Sequence, residues 1–209
     1  IATSEISIPK NNKANHKDIE NKLRYFLLDH GFYEVINPPF VNLASEEVIK
    51  VDNPLDSNRG FLRTNITNSL VENLLSNERR QKDSIKLFEI SDVYTSNNGI
   101  HKKRKISLIA SGRVGLNYED FSKKINKKYL SNLFKEILPQ EVFEFKVLSR
   151  DSMDTKLRAE IISLEVDINR FSNNILCYNE ISKLPEEFIQ YKPISDLPSS
   201  FKDISYSIK

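Results

Sequence analysis

Between Asn53 and Tyr94 the chain reads NPLDSNRGFLRTNITNSLVENLLSNERRQKDSIKLFEISDVY, and this stretch limits the possible folds more than any other. Pro54 fixes its own φ and drives Asn53 towards extended backbone, so Asn53-Pro54 closes whatever precedes it. Arg59-Gly60 supplies a second turn. Thr64 carries a hydroxyl that can cap a helix, and Ile66, Leu70, Val71, Leu74 and Leu75 then fall on one helical face. Burying five such side chains is worth about 8–15 kcal/mol gross, so the helix has to lie on a core. Ile85 to Thr95 then alternates as a strand does. Asn98-Gly99 offers the residues of a tight turn, and Lys105 to Ser111 returns with Ile106, Leu108 and Ala110 on one face.

The flanks carry the same two periodicities. Ile19, Leu23, Phe26 and Leu27 stripe a helix over Asp18 to His30, with Gly31 placed to end it. Phe32 to Asn37 reads as a strand stopped by Pro38-Pro39. Downstream, Gly112 and Gly115 end the returning strand. Phe121, Ile125, Tyr129 and Leu133, with Phe134 or Ile137, mark another amphipathic helix that stops before Pro139. Phe143, Phe145 and Val147 alternate within Val142 to Leu148, and Ile162, Leu164, Val166 and Ile168 do so within Glu160 to Ile168. The predicted fold class is α+β: a largely antiparallel sheet flanked by helices, which the pattern groups on one side.

Composition excludes several functions. A chain of 209 residues can build one sizeable core, and 39% hydrophobic with 29% charged residues is an ordinary globular mixture. A net charge of +2 does not by itself imply nucleic acid. Cys177 is the single cysteine, which excludes an internal disulfide framework and fits a reducing, cytoplasmic setting. No apolar run approaches the ~18 residues of a membrane span, and no signal peptide is visible. The start at Ile1 rather than methionine suggests a fragment or a processed chain. His16, His30 and His101 are scattered, so neither a metal site nor a Cys/His nucleophile pair can be assembled.

Four pieces of the central stretch, in order and at matching spacing, carry a family resemblance. They are Asn53-Pro54-Leu55, then Leu62-Arg63-Thr64 before the leucine-rich helix, then Asn77 with Arg80, then Leu87-Phe88-Glu89-Ile90 followed by Val93-Tyr94. This pattern resembles the central, synthetase-like module of the phenylalanyl-tRNA synthetase β subunit. Ser91 stands where that family usually has glycine. The helix, strand and proline over 18–39 also resemble the first class II synthetase motif, which serves subunit contact.

The resemblance implies a class II synthetase-like core over residues 18–190, preceded by a linker (1–17) from an upstream domain. Tyr191-Lys192-Pro193 through Tyr206 is similar to the junction into a ferredoxin-fold anticodon-binding domain, of which 191–209 is only the truncated start. It implies a partner, the catalytic α subunit of an (αβ)2 enzyme that joins phenylalanine to tRNA(Phe) with ATP and magnesium. Neither cofactor is expected in this fragment, and no membrane is involved. In the catalytic subunit the strand ending Val-Tyr is followed at once by arginine; here Val93-Tyr94 is followed by Thr95. With five glycines in all, there is also no glycine-rich run ending in arginine. Phosphoryl chemistry without fixed cations is implausible, so no residue is expected to be catalytic.

The candidate site residues are therefore structural or subunit-interface ones: Asn53, Pro54, Leu62, Arg63, Thr64, Asn77, Arg80, Phe88 and Glu89. Arg63 reads either as an ATP or tRNA ligand or as a helix-terminal cation paired with a carboxylate or carbonyl; the second is preferred. Asn77 and Arg80 suit a helix C-terminus, where the dipole favours cations. Phe88-Glu89 reads either as a subunit contact or as a core Phe beside a solvated Glu. Lys102, Lys103, Arg104 and Lys105 form the densest basic patch, read as a solvated hairpin end or as an RNA contact. Two other functions stay open: a free-standing class II synthetase-like ligase, and an RNA-binding module using that patch.

Overall fold

The computed structural model describes residues 16–42, 48–54, 56, 59–97, 99–115, 117, 119–135, 144–151, 153, 155 and 157–171. Leu55, Asn98, Ile137, Phe143, Cys177 and the stretch 191–209, each of which figures in the sequence reading, lie outside the described residues.

In chain order the elements are α1 (His16–Asp29), β1 (Tyr33–Glu34), β2 (Phe40–Val41), β3 (Phe61–Leu62), α2 (Thr67–Arg79), β4 (Ser84–Thr95), β5 (His101–Gly112), α3 (Lys127–Phe134), β6 (Lys146–Leu148) and β7 (Ile161–Asp167), closed by a 3₁₀ turn, Ile168–Arg170. Five strands form one sheet in the order β1-β4-β5-β7-β6, and β2 with β3 form a small second one. β1 runs parallel to β4; every other pairing in the large sheet is antiparallel. The fold class predicted from the pattern is the one observed.

The long hairpin dominates. β4 and β5 pair from Ser84↔Gly112 to Thr95↔His101, joined by residues 96–100. Alternation along these strands feeds two cores rather than one. Phe88, Ile90, Ile106, Leu108, Ala110, Ile162, Leu164 and Val166 face α1 and α3, while Ile85, Leu87, Val93, Ile109 and Ile161 face α2. The helices thus cover both faces of the sheet, not one as the pattern suggested. The sequence hides this because Ser107, Ser111 and Ser163, buried against α2, read as solvent-side positions.

Helix ends depart from expectation where capping is not local. α1 ends as predicted: Gly31 has φ +76°, Phe32 N–H donates to the Leu27 carbonyl and Gly31 N–H to that of Leu28, the double bond of a Schellman cap. α2 starts at Thr67, and Thr64 does not cap it. Asn65 Oδ1 accepts the Asn68 N–H, and a carboxylate from β7 takes the preceding two (described below). α3 begins at Lys127, capped by Asn126, whose Oδ1 accepts the Tyr129 N–H at 2.8 Å; Phe121 lies outside it in a turn. The first helix starts at His16, two residues inside the expected linker. The expected strand Phe32 to Asn37 pairs only at Tyr33 and Glu34, because Pro38 and Pro39 follow. Phe145 is buried, but Val147, expected on its face, is 54% exposed on the edge strand β6.

Candidate functional site

Arg63 follows β3 and precedes α2, and the chain beside β2 and β4 fixes it. Its N–H donates to the Pro39 carbonyl at 2.8 Å, and its own carbonyl accepts the Tyr94 N–H at 3.0 Å. The side chain is 1% exposed. Nη2 donates to Glu89 Oε1 at 2.7 Å and to Ser91 Oγ at 2.5 Å, and Nε to the Asp92 carbonyl at 3.3 Å. Glu89 is 2% exposed; its other oxygen accepts from Asn37 Nδ2 at 2.8 Å. Asn37 Oδ1 in turn accepts from Asn73 Nδ2, and the Asn73 carbonyl from Asn77 Nδ2. A polar chain therefore runs from the sheet to α2 through residues drawn from four segments. One atom is left over: Nη1 of Arg63 is buried without an acceptor, alone in this among the described residues. Such an orphan donor costs about 1–3 kcal/mol.

The same face of the sheet holds two further cation–carboxylate pairs. Glu165 on β7 accepts from the Ile66 and Thr67 N–H groups at 3.0 Å each and from Thr67 Oγ1 at 2.7 Å, and its second oxygen accepts from Lys105 Nζ at 2.8 Å. Burial pushes the Glu165 carboxyl up, but the hydrogen bonds from Lys105 and Thr67, with the Lys105 charge, outweigh it and hold the group below its ordinary value. Near the other end of α2, Arg150 grips Glu78 with both terminal nitrogens at 2.8 and 3.1 Å and reaches Ser111 Oγ at 3.0 Å. All three clusters tie α2 to the polar side of the sheet.

Of the candidates read from the sequence, Arg63 and Glu89 are brought into direct contact and Asn77 joins their chain. Arg63 pairs with a carboxylate within its own chain. Glu89 is not solvated, and Phe88 is a core residue on the opposite face. Arg80 is the C-cap of α2, with its N–H on the Asn77 carbonyl. Leu62 lies in β3, and Thr64 is half-buried just before α2. Asn53 and Pro54 stand exposed at the end of a hairpin whose arms are joined by Val51 N–H to the Gly60 carbonyl and Leu62 N–H to that of Ile49. In the basic patch Lys102 pairs with Asp92, Arg104 with Glu20 and Asp92, and Lys105 with Glu165, leaving Lys103 exposed outside these pairs. Sequence reasoning missed Asn37, Glu78, Arg150 and Glu165. Only Glu165, an acid set between Leu164 and Val166 in the run IISLEV, offered a signal.

Above the Arg63–Asn37 floor lies an open groove of about 810 Å³ between the β2 segment and the start of α2. Pro38, Phe40 and Val41 come from one side, and Asn65, Asn68 and Ser69 from the other. No group of three or more His, Cys, Asp or Glu stands close enough to hold a metal among the described residues. Among those residues, too, no helix is long and apolar enough to cross a membrane.

A solved structure shares this architecture. A pyrrolysyl tRNA synthetase, PylSc from Desulfitobacterium hafniense, superposes with a TM-score of 0.52 over 78% of this chain and 69% of its own, at 16% identity; that likeness concerns the fold alone. The family model for the phenylalanyl tRNA synthetase beta chain CLM domain matches residues 2–168, and the chain belongs to that family. Its match takes in most of the stretch read as a linker. Phenylalanine–tRNA ligase β subunits are similar along the chain: Ehrlichia canis at 25% identity over 96% of it, and Dechloromonas aromatica at 25% over 68%. That of Thermotoga maritima is 30% identical over 56%. The chain spans about a fifth of the length of these relatives, 22%, 20% and 16% respectively.

Proposed function

We propose that this chain is the non-catalytic, synthetase-like module of a phenylalanine–tRNA ligase β subunit. It packs against the catalytic α subunit of a cytoplasmic (αβ)2 enzyme that joins phenylalanine to tRNA(Phe) with ATP and magnesium, and binds neither cofactor itself. The observation that carries this reading is the charge state of the α2-side face. Arg63, Lys105 and Arg150, three cations of that face, are each committed to a carboxylate: Glu89, Glu165 and Glu78. Phosphate would have to displace a buried or largely buried acid from each, and a transition state gains only from donors held ready for it.

A packing role is supported by the opposite edge of the sheet. β1 is an edge strand of two residues, and the chain around it exposes Tyr25, Leu28, Tyr33 (70%), Ile36 (92%) and Phe40. A row of large apolar side chains beside an unpaired edge is suited to burial by a second protein. Co-expression with the matching α subunit tests the reading. A stable complex is expected, with no aminoacylation and no ATP binding by the isolated chain. Ile36→Glu with Tyr33→Glu should release the α subunit while leaving the thermal midpoint within ~2 °C, because exposed substitutions typically change stability by no more than about 0.5 kcal/mol. Charging of tRNA by the chain alone refutes the reading.

A further inference from the structure

The cations of this chain are not spread evenly. Residues 113–135 carry six of them against two acids, a net +4, where the whole chain has +2. Two of the six are neutralised in place, Arg113 by Asp83 and Lys123 by Asp120. Lys124, Lys127 and Lys128 are exposed and stand in no ion pair among the described residues. Their placement works against the fold. Lys127 and Lys128 open α3, whose first turn holds no acid, at the end of the helix dipole that repels cations. Lys124 is joined to Arg113 by a β-bridge. The Arg113 guanidinium in turn lies 3.8 Å from the centroid of the Phe121 ring, and Phe121 is 46% exposed. The cluster Lys102 to Lys105 is different, because there Lys102, Arg104 and Lys105 each have a carboxylate. A local rule broken with no compensation inside the chain points to a surface with a task outside it.

We infer that the start of α3 is a contact for an RNA strand: Lys124, Lys127 and Lys128 meet its phosphates, and Phe121 with Arg113 takes an unpaired base. Lysine binds phosphate as a point charge and is depleted from protein–protein interfaces, which disfavours an acidic protein. The ring and guanidinium offer flat faces of the kind on which bases stack, which disfavours a lipid headgroup. The inference rests on this face and not on the α-subunit reading; where that reading holds, the RNA is the enzyme's tRNA.

The test is a fluorescence-anisotropy titration of the chain against a labelled tRNA(Phe) transcript at rising salt. Lys124→Gln with Lys127→Gln and Lys128→Gln should weaken binding at least ~10-fold and lower the log–log salt slope by ~2–3, the part due to three phosphates. Taking cations off that helix end should leave the thermal midpoint unchanged or raised. Phe121→Ala should weaken binding ~5-fold or more with the slope unaltered, since stacking releases no counterions. Lys50→Gln with Lys103→Gln and Lys146→Gln removes as much charge from exposed positions elsewhere, and should change affinity less than ~3-fold. An α3 variant that binds no worse than this second triple reduces the effect to net charge and overturns the inference. So does a wild-type chain that fails to bind at low salt. Binding to anionic phospholipid vesicles or to polyglutamate that the α3 variant loses, while it still holds RNA, overturns it in favour of a lipid or an acidic protein. Binding to the α subunit should be the same in every variant; a wild-type chain that fails there sinks the parent reading and leaves the RNA titration to stand.

Discussion

Arg63 and Glu89 set the residue-scale energetics of the α2-side face. Both are almost wholly removed from water, and a buried ion pair gains little net stability over a well-packed apolar pair while being costly to break. Glu89→Leu should therefore cost about 3–5 kcal/mol, because it strands the guanidinium. Arg63→Met with Glu89→Leu should recover most of that loss. Urea titrations of the two singles and the double decide it; additive losses would show that the two residues do not act as a pair. Gln81 is a second informative residue. It follows α2 with φ +60°, its N–H on the Glu78 carbonyl and that of Lys82 on Asn77, a left-handed cap built without glycine. Gln81→Gly should stabilise by about 1 kcal/mol, visible as a higher midpoint. Arg63 was legible as a paired cation because it sits just before a helix. Its partner was not, since Glu89 lies 26 residues on and its burial depends on α2 closing over that side of the sheet.

At the scale of elements, the first turn of α2 is held by a carboxylate that comes to it from β7 as well as by the local cap of Asn65. Glu165 lies 98 residues from Thr67, beyond any local pattern, which is why Thr64 was credited with a task that β7 performs. The period-two strands and the three amphipathic helices were legible because their signals are local; which face each helix covers was not, because buried serines mimic solvent positions. The cap carries a pH signature. Glu165 titrates below its ordinary value in the folded chain, so its ionised form stabilises the fold. That contribution is fully present above the unfolded value of about 4.3 and is lost as pH falls through the folded one. Glu165→Gln should lower stability at neutral pH by about 1–3 kcal/mol and flatten the acid limb of a stability–pH profile. An unchanged acid limb would assign the loss to other groups.

For the whole molecule, the sheet divides two jobs: α1 and α3 close one side with hydrocarbon, and α2 closes the other over a smaller apolar cluster together with ion pairs. The tight junction of the hairpin with its flanks shows at Gly112, whose φ is +89° and where an added Cβ would stand 1.8 Å from the Asp83 carbonyl oxygen. Gly112→Ala should therefore unfold or displace that corner, at a cost of at least about 1–3 kcal/mol for the backbone conformation alone, read as a lost or lowered thermal transition. The long hairpin has a further consequence. Because each of its strands sends alternate residues into opposite cores, one added residue inside His101–Gly112 would swing Lys105 towards oil and Ile106 towards the acids, and every later residue with them. Such an insertion could not be absorbed gradually. The connection 96–100, outside the paired residues, is thus the place to graft a reporter or an affinity tag.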